Sequence, residues 1–381
     1  MVRGVARVHP HPNPLPAGEE AYCQASVSFD FRLGSKAQHD RTAMPERDLR
    51  VFIDTTDRCN LRCIMCAFAL EEFSGNWNEL ERSAGDMPLW LFEKIAAQAF
   101  PRASYLALSC GTEPLMSRTF LDCLERVAPY SVPQVEFPTN ATLLTQTKAE
   151  RVVKARPDVI MVSLDSPDPA TFEVIRPGAR FDKVIANIRG LQETKRRLGS
   201  PYPELRLNLT LMRKNVEQLE AYVELARDLG AAKIDIRHVS PFDGLGMEKE
   251  SLVHFKALAN QHLERARRKC AEHGIDIARW PEPFDLSGTP HPTPPLPCQA
   301  VIDSLYINPA GQVVPCAWWL HEPPIGDFQH QDLDQILSSP ALIEARARAA
   351  RGELKPCCAK TCAVRSANIN DPAFFDSLRI V

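Results

Sequence analysis

The pattern of apolar and polar residues is most regular between about residues 50 and 240. Short runs that are apolar nearly throughout, such as residues 158–165, predict strands that are buried on both faces. Longer stretches with apolar residues three or four positions apart, such as residues 181–198, predict amphipathic helices. Strands and helices alternate in this region, and that order predicts an α/β fold with a parallel sheet or an incomplete (β/α)6 barrel.

Six strands and five helices are predicted in this region. The predicted strands are residues 49–56, 104–110, 133–140, 158–165, 205–212 and 231–239. The predicted helices are residues 89–100, 118–128, 145–155, 181–198 and 215–230. In barrels of this kind the catalytic residues lie at the carboxyl ends of the strands. We therefore expect functional side chains on the loops that follow strands.

The remaining segments divide the chain into four parts. Residues 1–46 are rich in Pro and lack periodicity, so we expect a disordered tail before a core at 47–245. A predicted helix at 251–270 and a Pro-rich stretch form a linker over 246–297. A small, Cys-rich α+β extension follows over 298–381.

Two local patterns add detail at the ends of the chain. Residues 304–316 predict a β-hairpin with its turn at 308–311. Met44 stands just before the first ordered pattern, and we hypothesise that translation starts there and that the upstream segment is not made. A mass of the native protein that includes residues 1–43 would refute this hypothesis.

The composition excludes several classes of function. The 381 residues carry a net charge of -3, without the basic excess that nucleic-acid-binding proteins usually carry. No apolar run approaches the roughly 18 residues needed to cross a bilayer, and the start of the chain lacks the apolar core of a secretory signal. We therefore expect no membrane association, no nucleic-acid partner and a cytoplasmic location.

Twelve cysteines are many for a protein expected in a reducing compartment, and clustered intracellular cysteines indicate metal binding. Cys59, Cys63 and Cys66 form a CxxxCxxC sequence directly after the first predicted strand. Structural zinc takes four protein ligands, whereas a [4Fe–4S] cluster held by three thiolates keeps one iron open to another ligand. A zinc site completed by a distant residue and three ordinary core thiols are the alternatives.

The sequence CNLRCIMC after a strand resembles the radical S-adenosylmethionine (radical SAM) superfamily, over about residues 50–240. The resemblance implies a TIM-like barrel and a [4Fe–4S] cluster, held by Cys59, Cys63 and Cys66, whose open iron binds SAM. It implies that a reducing partner such as flavodoxin or ferredoxin supplies an electron. SAM is then cleaved to methionine and a 5′-deoxyadenosyl radical, which abstracts hydrogen from a substrate. Met65 replaces an often aromatic residue that contacts the adenine, and its polarisable thioether suits that contact.

Three later motifs resemble the superfamily in order and position. CGTEP (110–114) resembles the GGEP motif, in which backbone and a carboxylate meet the amino group of SAM. PTNATLLT (138–145) and VSLDSPDPATFEVIRPG (162–178) follow the next two predicted strands. The resemblance implies SAM contacts from Gly111, Thr112, Glu113, Asn140, Ser163 and Arg176. From the residues alone, a Glu at a helix start, a structural Asn in a turn and a surface Arg at a helix end are alternatives.

Further polar residues lie near the carboxyl ends of the last two predicted strands. Asn208 and Thr210 alternate along one strand, so both face the same side of the sheet, either the barrel interior or the surface. Arg237, His238 and Asp243 come at the end of the next strand. His238 and Asp243 are candidates for a catalytic base, with a structural role as the alternative for each.

The carboxyl-terminal region holds a second set of cysteines. Cys298 and Cys316 precede the sequence KPCCAKTC, and four ligands complete a site without an open position. The arrangement resembles the auxiliary cluster domains of many radical SAM enzymes, called SPASM or, in a shorter form, twitch. Five cysteines fit the shorter form with one auxiliary [4Fe–4S] cluster. We assign Cys298, Cys316, Cys358 and Cys362 as ligands, with Cys357 as an alternative to Cys358 and a structural zinc site made of four cysteines as the competing interpretation.

Together these patterns predict a radical SAM enzyme of the oxidoreductase or maturase type that abstracts hydrogen from an unidentified substrate. A peptide or protein side chain and a sugar-like small molecule are both open, and an auxiliary cluster suits electron transfer from a substrate radical. The alternative is a non-catalytic iron–sulfur electron carrier or a zinc-stabilised binding module. Formation of 5′-deoxyadenosine on addition of SAM and dithionite distinguishes the enzyme from this alternative.

Overall fold

The computed structural model describes residues 47–66, 85–239, 245–287, 298–317 and 323–353. Several sequence predictions fall outside these residues and are not tested by the structure. They are the Pro-rich tail, the start at Met44, Asp243, Cys357, Cys358 and Cys362.

The described strands form a single sheet. They are β1 (Leu49–Ile53), β2 (Ala103–Leu108), β3 (Val135–Thr139), β4 (Val159–Ser163), β5 (Glu204–Leu211), β6 (Lys233–His238), β7 (Asp276–Arg279), β8 (Ser304–Ile307), β9 (Gln312–Val314) and β10 (Gly326–Asp327). The strand order is β10-β9-β8-β1-β2-β3-β4-β5-β6-β7, and every pair from β8 to β7 is parallel. The six predicted strands are confirmed as β1 to β6.

Helices connect the strands and cover the sheet. They are α1 (Leu89–Ala99), α2 (Phe120–Glu125), α3 (Gln146–Ala155), α4 (Pro169–Ile175), α5 (Phe181–Leu198), α6 (Leu219–Asp228), α7 (Lys256–His273), α8 (Gln299–Asp303), α9 (Leu333–Leu337) and α10 (Pro340–Ala350). Helix α7 begins later than predicted because residues 252–254 form a separate 3-10 turn. It ends at His273 and is followed by Gly274, whose φ of +66° suits a helix terminus. No helix in the described ranges is long and apolar enough to cross a membrane.

Two strands outside the predicted core extend its sheet. Strand β7, in the region predicted as a linker, pairs in parallel with β6. Strand β8, the first strand of the predicted hairpin, pairs in parallel with β1, which places Tyr306 beside Phe52. The hairpin of β8 and β9 is confirmed. The carboxyl-terminal region therefore continues the sheet of the core, which the sequence did not indicate.

The core strands have an apolar outer face and a more polar inner face. On β5 the outward residues belong to the main hydrophobic core: Leu205, Leu207, Leu209 and Leu211. Arg206, Asn208 and Thr210 alternate with them and face inward, into the barrel. Of the two orientations that the sequence left open for Asn208 and Thr210, the structure therefore has the barrel interior.

The carboxyl ends of β1 to β4 lie along one edge of the sheet, because these strands are parallel and adjacent. The loops that leave this edge are hydrogen-bonded to one another. Ser109 N donates to Ile53 O at 2.7 Å, and Glu113 N donates to Arg58 O at 3.0 Å. Motifs that lie between residue 54 and residue 178, up to about 120 residues apart in the sequence, thereby meet at one edge.

Candidate active site

The three cysteines of the first motif lie on the loop that follows β1. The end of α4 holds this loop in place, since Ile64 N donates to Ile175 O at 3.0 Å. Gly178 has a φ of +94°, and a Cβ at this position would lie 3.3 Å from the Leu61 side chain. The glycine of the VIRPG sequence therefore permits both the turn and the close approach of the cysteine loop.

The chemistry of the thiols fits an iron–sulfur cluster. Cys63 is buried, whereas Cys59 and Cys66 are partly buried. Burial raises the pKa of the Cys59 and Cys63 thiols, and the nearby Arg176 opposes part of the rise at Cys63. Among the residues that the structure describes, no three Cys, His, Asp or Glu side chains converge on a single metal ion. Three local thiolates suit a cubane cluster, in which each thiolate binds a different iron, better than a structural zinc site, which takes four protein ligands.

Asp54, which the sequence analysis did not single out, organises the loop after β2. Its buried Oδ1 accepts hydrogen bonds from the main-chain nitrogens of Cys110 (2.7 Å) and Gly111 (3.4 Å). The hydroxyls of Ser109 and Thr112 also donate to it, at 3.2 and 3.3 Å. Ser109 has a φ of +113°, a strained conformation that these bonds maintain. Burial raises the pKa of Asp54 although the hydrogen bonds oppose the rise.

Glu113 lies at the same edge and is only 1% exposed. Its carboxylate accepts hydrogen bonds from Thr139 Oγ1 (2.8 Å), Leu115 N (3.1 Å) and Asn140 N (2.7 Å). A carboxylate has about four acceptor positions, so these bonds leave room for a further donor. Burial raises the pKa of Glu113, and the hydrogen bonds oppose the rise. The geometry fits the amino group of SAM, and that contact stays a prediction.

Asn140 fastens the loop after β3 to the cysteine loop. Its Nδ2 donates to Asn60 Oδ1 at 2.9 Å, and its Oδ1 accepts from the Thr142 nitrogen (2.9 Å) and hydroxyl (2.6 Å). Ala141, which replaces the Gly of the related motif, has a φ of +57°, a conformation that glycine adopts more easily. The described bonds give Asn140 a positioning role, and a direct contact with SAM stays a prediction.

Arg176 is buried at the end of α4 and is not the surface cation that the sequence left open. Its Nε donates to Asp165 Oδ2 at 2.6 Å, and its Nη1 donates to Cys63 Sγ at 3.4 Å. Asp165, a residue the sequence analysis missed, also accepts from Thr210 N at 2.7 Å. These bonds orient the guanidinium against the cysteine loop and leave Nη2 available for a carboxylate ligand.

Met65 and Ser163 complete the set of predicted SAM contacts. Met65 packs against a small apolar cluster of Ile175, Met212, Val239 and Met247. An apolar and polarisable surface of this kind suits one face of a nucleobase. Ser163 ends β4 and lies in register with Asn208 on the inner face. Both positions agree with the predicted contacts, which the structure does not test directly.

His238 does not lie at the candidate site. It shares the outward orientation of Ile234 and Ile236, and its ring packs on Phe284 with a centroid distance of 4.8 Å. Burial lowers its pKa to about 4, and its Nε2 has no hydrogen-bond partner within the described ranges. An outward-facing, neutral imidazole does not support the predicted role as a base.

Cys298 and Cys316 are the two described residues of the second predicted metal site. Both are buried and belong to the same small hydrophobic cluster. Cys298 N donates to Ala349 O at 2.9 Å, which ties the start of α8 to the end of α10. Because Cys358 and Cys362 lie outside the described residues, the structure brings together half of the predicted ligand set.

Comparison with known proteins identifies the family. The model of the radical SAM superfamily matches residues 53–226, and the model of an iron-sulfur cluster-binding domain (SPASM) matches residues 298–363. The chain belongs to the radical SAM superfamily. It is a radical SAM enzyme with a carboxyl-terminal SPASM domain. The radical SAM domain implies a [4Fe–4S] cluster that binds SAM, and the SPASM domain implies auxiliary iron–sulfur clusters. The predicted family, the class of enzyme and the cofactors are thereby confirmed.

Three relatives illustrate the similarity. The chain is 26% identical over 278 residues to the PqqA peptide cyclase of Gluconobacter oxydans, across 72% of this chain and 71% of the relative. It is 28% identical over 233 residues to the probable GTP 3′,8-cyclase of Sulfurisphaera tokodaii, across 61% and 67%. The structure of Streptococcus suis SuiB bound to the precursor peptide SuiA matches with a TM-score of 0.60 and 16% identity, across 84% and 71%. At that identity the likeness concerns the fold, and it confirms the predicted incomplete TIM-like barrel.

Proposed function

We propose that this radical SAM enzyme abstracts hydrogen from a peptide or protein side chain. The observation that carries the proposal is the sequence similarity to a peptide cyclase over 72% of the chain. The fold likeness to SuiB, which binds a precursor peptide, supports the same class of substrate. The similarity to a GTP cyclase covers less of the chain and keeps a small molecule as the competing outcome of the test.

The residues at the carboxyl edge of the sheet take separate parts in this proposal. Cys59, Cys63 and Cys66 hold the cluster. Glu113, with an acceptor position left over, receives a hydrogen bond from the amino group of SAM. Arg176 donates to the carboxylate of SAM through Nη2, since Asp165 and Cys63 already occupy its other nitrogens.

When bound, the cluster and SAM would supply one-electron cleavage of SAM to methionine and a 5′-deoxyadenosyl radical that can abstract hydrogen, with reduced flavodoxin or ferredoxin as the proposed electron donor. The protein orients the participants and excludes water. Asp54 holds the loop before Glu113, and the apolar cluster around Met65 shields the side of the site next to the cysteine loop. Cys298 and Cys316 would help to hold the auxiliary cluster, which would supply an acceptor for one electron from the substrate radical.

The proposal is tested by following where the abstracted hydrogen comes from. Cells are grown in deuterated medium, and their peptide digest and their small-molecule fraction are given separately to the reconstituted enzyme with SAM and dithionite under anaerobic conditions. We expect deuterium in 5′-deoxyadenosine, measured by mass spectrometry, with the peptide fraction. Deuterium transfer from the small-molecule fraction alone would contradict the proposal.

Two variants control this experiment. Cys63→Ala removes a proposed cluster ligand and is expected to abolish 5′-deoxyadenosine formation. Cys123→Ala changes another buried cysteine, on α2 within the main hydrophobic core, and is expected to keep it. Equal activity in Cys63→Ala and the parent would show that the cysteine loop does not hold the cluster.

A further inference from the structure

Four arginines and two carboxylates on the strands of the barrel face inward: Arg50, Glu136, Arg206, Asp235, Arg237 and Arg279. Asp165 and Arg176 pair at the carboxyl edge of the same sheet. A buried charge is unfavourable unless an opposite charge accompanies it. How the carboxylates are shared among the guanidinium groups therefore decides which guanidinium can bind a further negative group.

The first of the two carboxylates is already shared. Glu136 is fully buried and accepts hydrogen bonds from Tyr105 Oη and from Gln134 Nε2, the latter at 3.0 Å. Arg206 Nη1 lies 3.5 Å from Glu136 Oε2. Arg206 is 2% exposed, yet its Nε has no hydrogen-bond partner among the residues described. Glu136 therefore satisfies only part of the Arg206 guanidinium.

The second carboxylate is shared as well. Arg237 donates to Asp235 through Nε (2.9 Å) and Nη2 (3.1 Å), and Arg279 Nε lies 3.9 Å from the same carboxylate. Burial alone would raise the pKa of Asp235, but these cations hold it below its ordinary value. Burial and the neighbouring charge of Arg237 together lower the pKa of Arg279. Both pKa shifts indicate that several positive charges lie close together on this side of the barrel.

Arg237 is the member of this set that a substrate can reach. Its side chain is 46% exposed at the carboxyl end of β6, in register with Thr210. Arg206 lies four residues before Thr210 on β5, roughly 13 Å deeper at the usual rise per residue. It forms part of the wall of a cavity of about 480 Å³ that opens at the opposite, amino-terminal edge of the sheet. Arg206 thus adds to the electrostatic potential, while Arg237 is placed to make contact.

We propose that Arg237 binds a carboxylate of the substrate, and that the group it recognises is an acidic side chain of a peptide. This inference rests on the proposed function. The bonds to Asp235 use one edge of the Arg237 guanidinium and leave the edge formed by Nη1 and the outer hydrogen of Nη2 for a ligand. An edge of this kind binds a carboxylate through two parallel hydrogen bonds. Asn208, in register with Asp235 on the next strand, has a buried Oδ1 without a partner in the described chain. That oxygen suits a peptide N–H next to the acidic group.

The test compares two pools of fluorescein-labelled random heptapeptides that differ at one fixed position, Glu in one pool and Gln in the other. Binding to the reconstituted holoenzyme with SAM, without reductant, is measured by fluorescence anisotropy. A hydrogen bond to a charged group contributes enough for about a tenfold preference. We expect the wild type to prefer the Glu pool by about that factor or more. Arg237→Gln is expected to lose the preference and Arg237→Lys to keep part of it.

The matched control is Arg227→Gln. Its side chain is 47% exposed and pairs with the adjacent Asp228 at 2.8 Å, but it lies on α6, outside the barrel. We expect this variant to keep the wild-type preference. Far-UV circular dichroism and iron content confirm that each variant is folded and loaded.

Each outcome supports or overturns the inference. It is wrong if the wild type shows no preference, or if Arg237→Gln keeps it. A third pool with phosphoserine at the fixed position is measured in the same way, and stronger binding of this pool than of the Glu pool would overturn the assignment to a carboxylate. Failure of the proposed function is recognised separately, because deuterium then reaches 5′-deoxyadenosine from the small-molecule fraction alone. If deuterium is transferred from the peptide fraction but no preference for the Glu pool exists, only the present inference fails.

Discussion

Replacement of Asp54 with alanine removes the acceptor that holds the loop between β2 and Glu113. Four donors surround its Oδ1, and two of them are main-chain nitrogens, those of Cys110 and Gly111. Since Ser109 keeps a φ of +113° in this loop, we expect the segment to relax when the acceptor is lost. The position of Glu113, and with it the affinity for SAM, is then expected to change.

The size of the effect follows from which donors find another partner. Ser109 Oγ also donates to Thr112 O at 3.1 Å, and Thr112 Oγ1 also donates to Thr56 O at 2.9 Å. The two hydroxyls therefore keep a hydrogen-bond partner, and the loss of Asp54 costs them little free energy. A buried main-chain donor without a partner costs about 1–3 kcal/mol, and the bond from Gly111 is long. The expected loss in the free energy of unfolding is about 2–4 kcal/mol for Asp54→Ala. For Asp54→Asn it is about 1 kcal/mol, since that variant keeps the acceptor and loses only the charge.

Urea unfolding of the reconstituted protein, followed by tryptophan fluorescence, measures this loss, and equilibrium dialysis measures the affinity for SAM. Asp182→Ala, which changes an exposed carboxylate on α5, is the control and is expected to stay within about 0.5 kcal/mol of the parent. The order of midpoints should be parent, Asp54→Asn, Asp54→Ala. If Asp54→Ala unfolds at the same urea concentration as the parent and binds SAM equally well, the assigned role of Asp54 is wrong.

Three further predictions concern the other predicted residues. Glu113→Gln replaces an acceptor that faces Asn140 N with a donor, so SAM affinity measured by dialysis should fall about tenfold or more; unchanged affinity would place the amino group of SAM elsewhere. Cys298→Ser should lower the iron content from about eight to about four per chain while 5′-deoxyadenosine still forms; full iron retention would exclude Cys298 as a ligand. Burial lowers the pKa of His238 from 6.5 to about 4, so the unfolded chain binds its proton first as pH falls. The free energy of unfolding of the parent should therefore decrease as pH falls from 6.5 to 4, and that of His238→Gln should decrease less; an equal decrease of the urea midpoint in the two proteins over this range would refute the burial of a neutral His238.

The sequence predicted the elements whose physical cause is local. Buried parallel strands and amphipathic helices follow from periodicity, and the first three cysteines follow from their spacing after a strand. The edge that brings Glu113, Asn140 and Arg176 to the cysteine loop follows from the parallel order of the strands. The strands, the helices and the cysteine motif were accessible because a pattern within about 20 residues determines each of them.

The rest depends on contacts between distant segments. Asp54 and Asp165 each follow a strand in the sequence. No local sequence pattern shows whether an Asp at such a position organises a loop or caps a helix. Strand β7 has only four residues, too short a run to predict, and β8 joins β1 across about 250 residues. His238 was placed at the rim from its position along β6, but the alternation of side chains turns it outward.

One carboxylate connects the proposed SAM site with the proposed substrate site. Asp165 accepts from Arg176 Nε on one oxygen and from Thr210 N on the other. Asn215 Nδ2 holds the same region together by donating to Asp165 O (2.8 Å) and Thr210 O (2.9 Å). Thr210 on β5 is in register with Arg237 on β6. A substrate bound at Arg237 therefore affects the strand whose Thr210 nitrogen holds Asp165, the carboxylate that orients Arg176. Binding of SAM and binding of peptide are therefore expected to influence each other, and linkage requires the two effects on affinity to be equal.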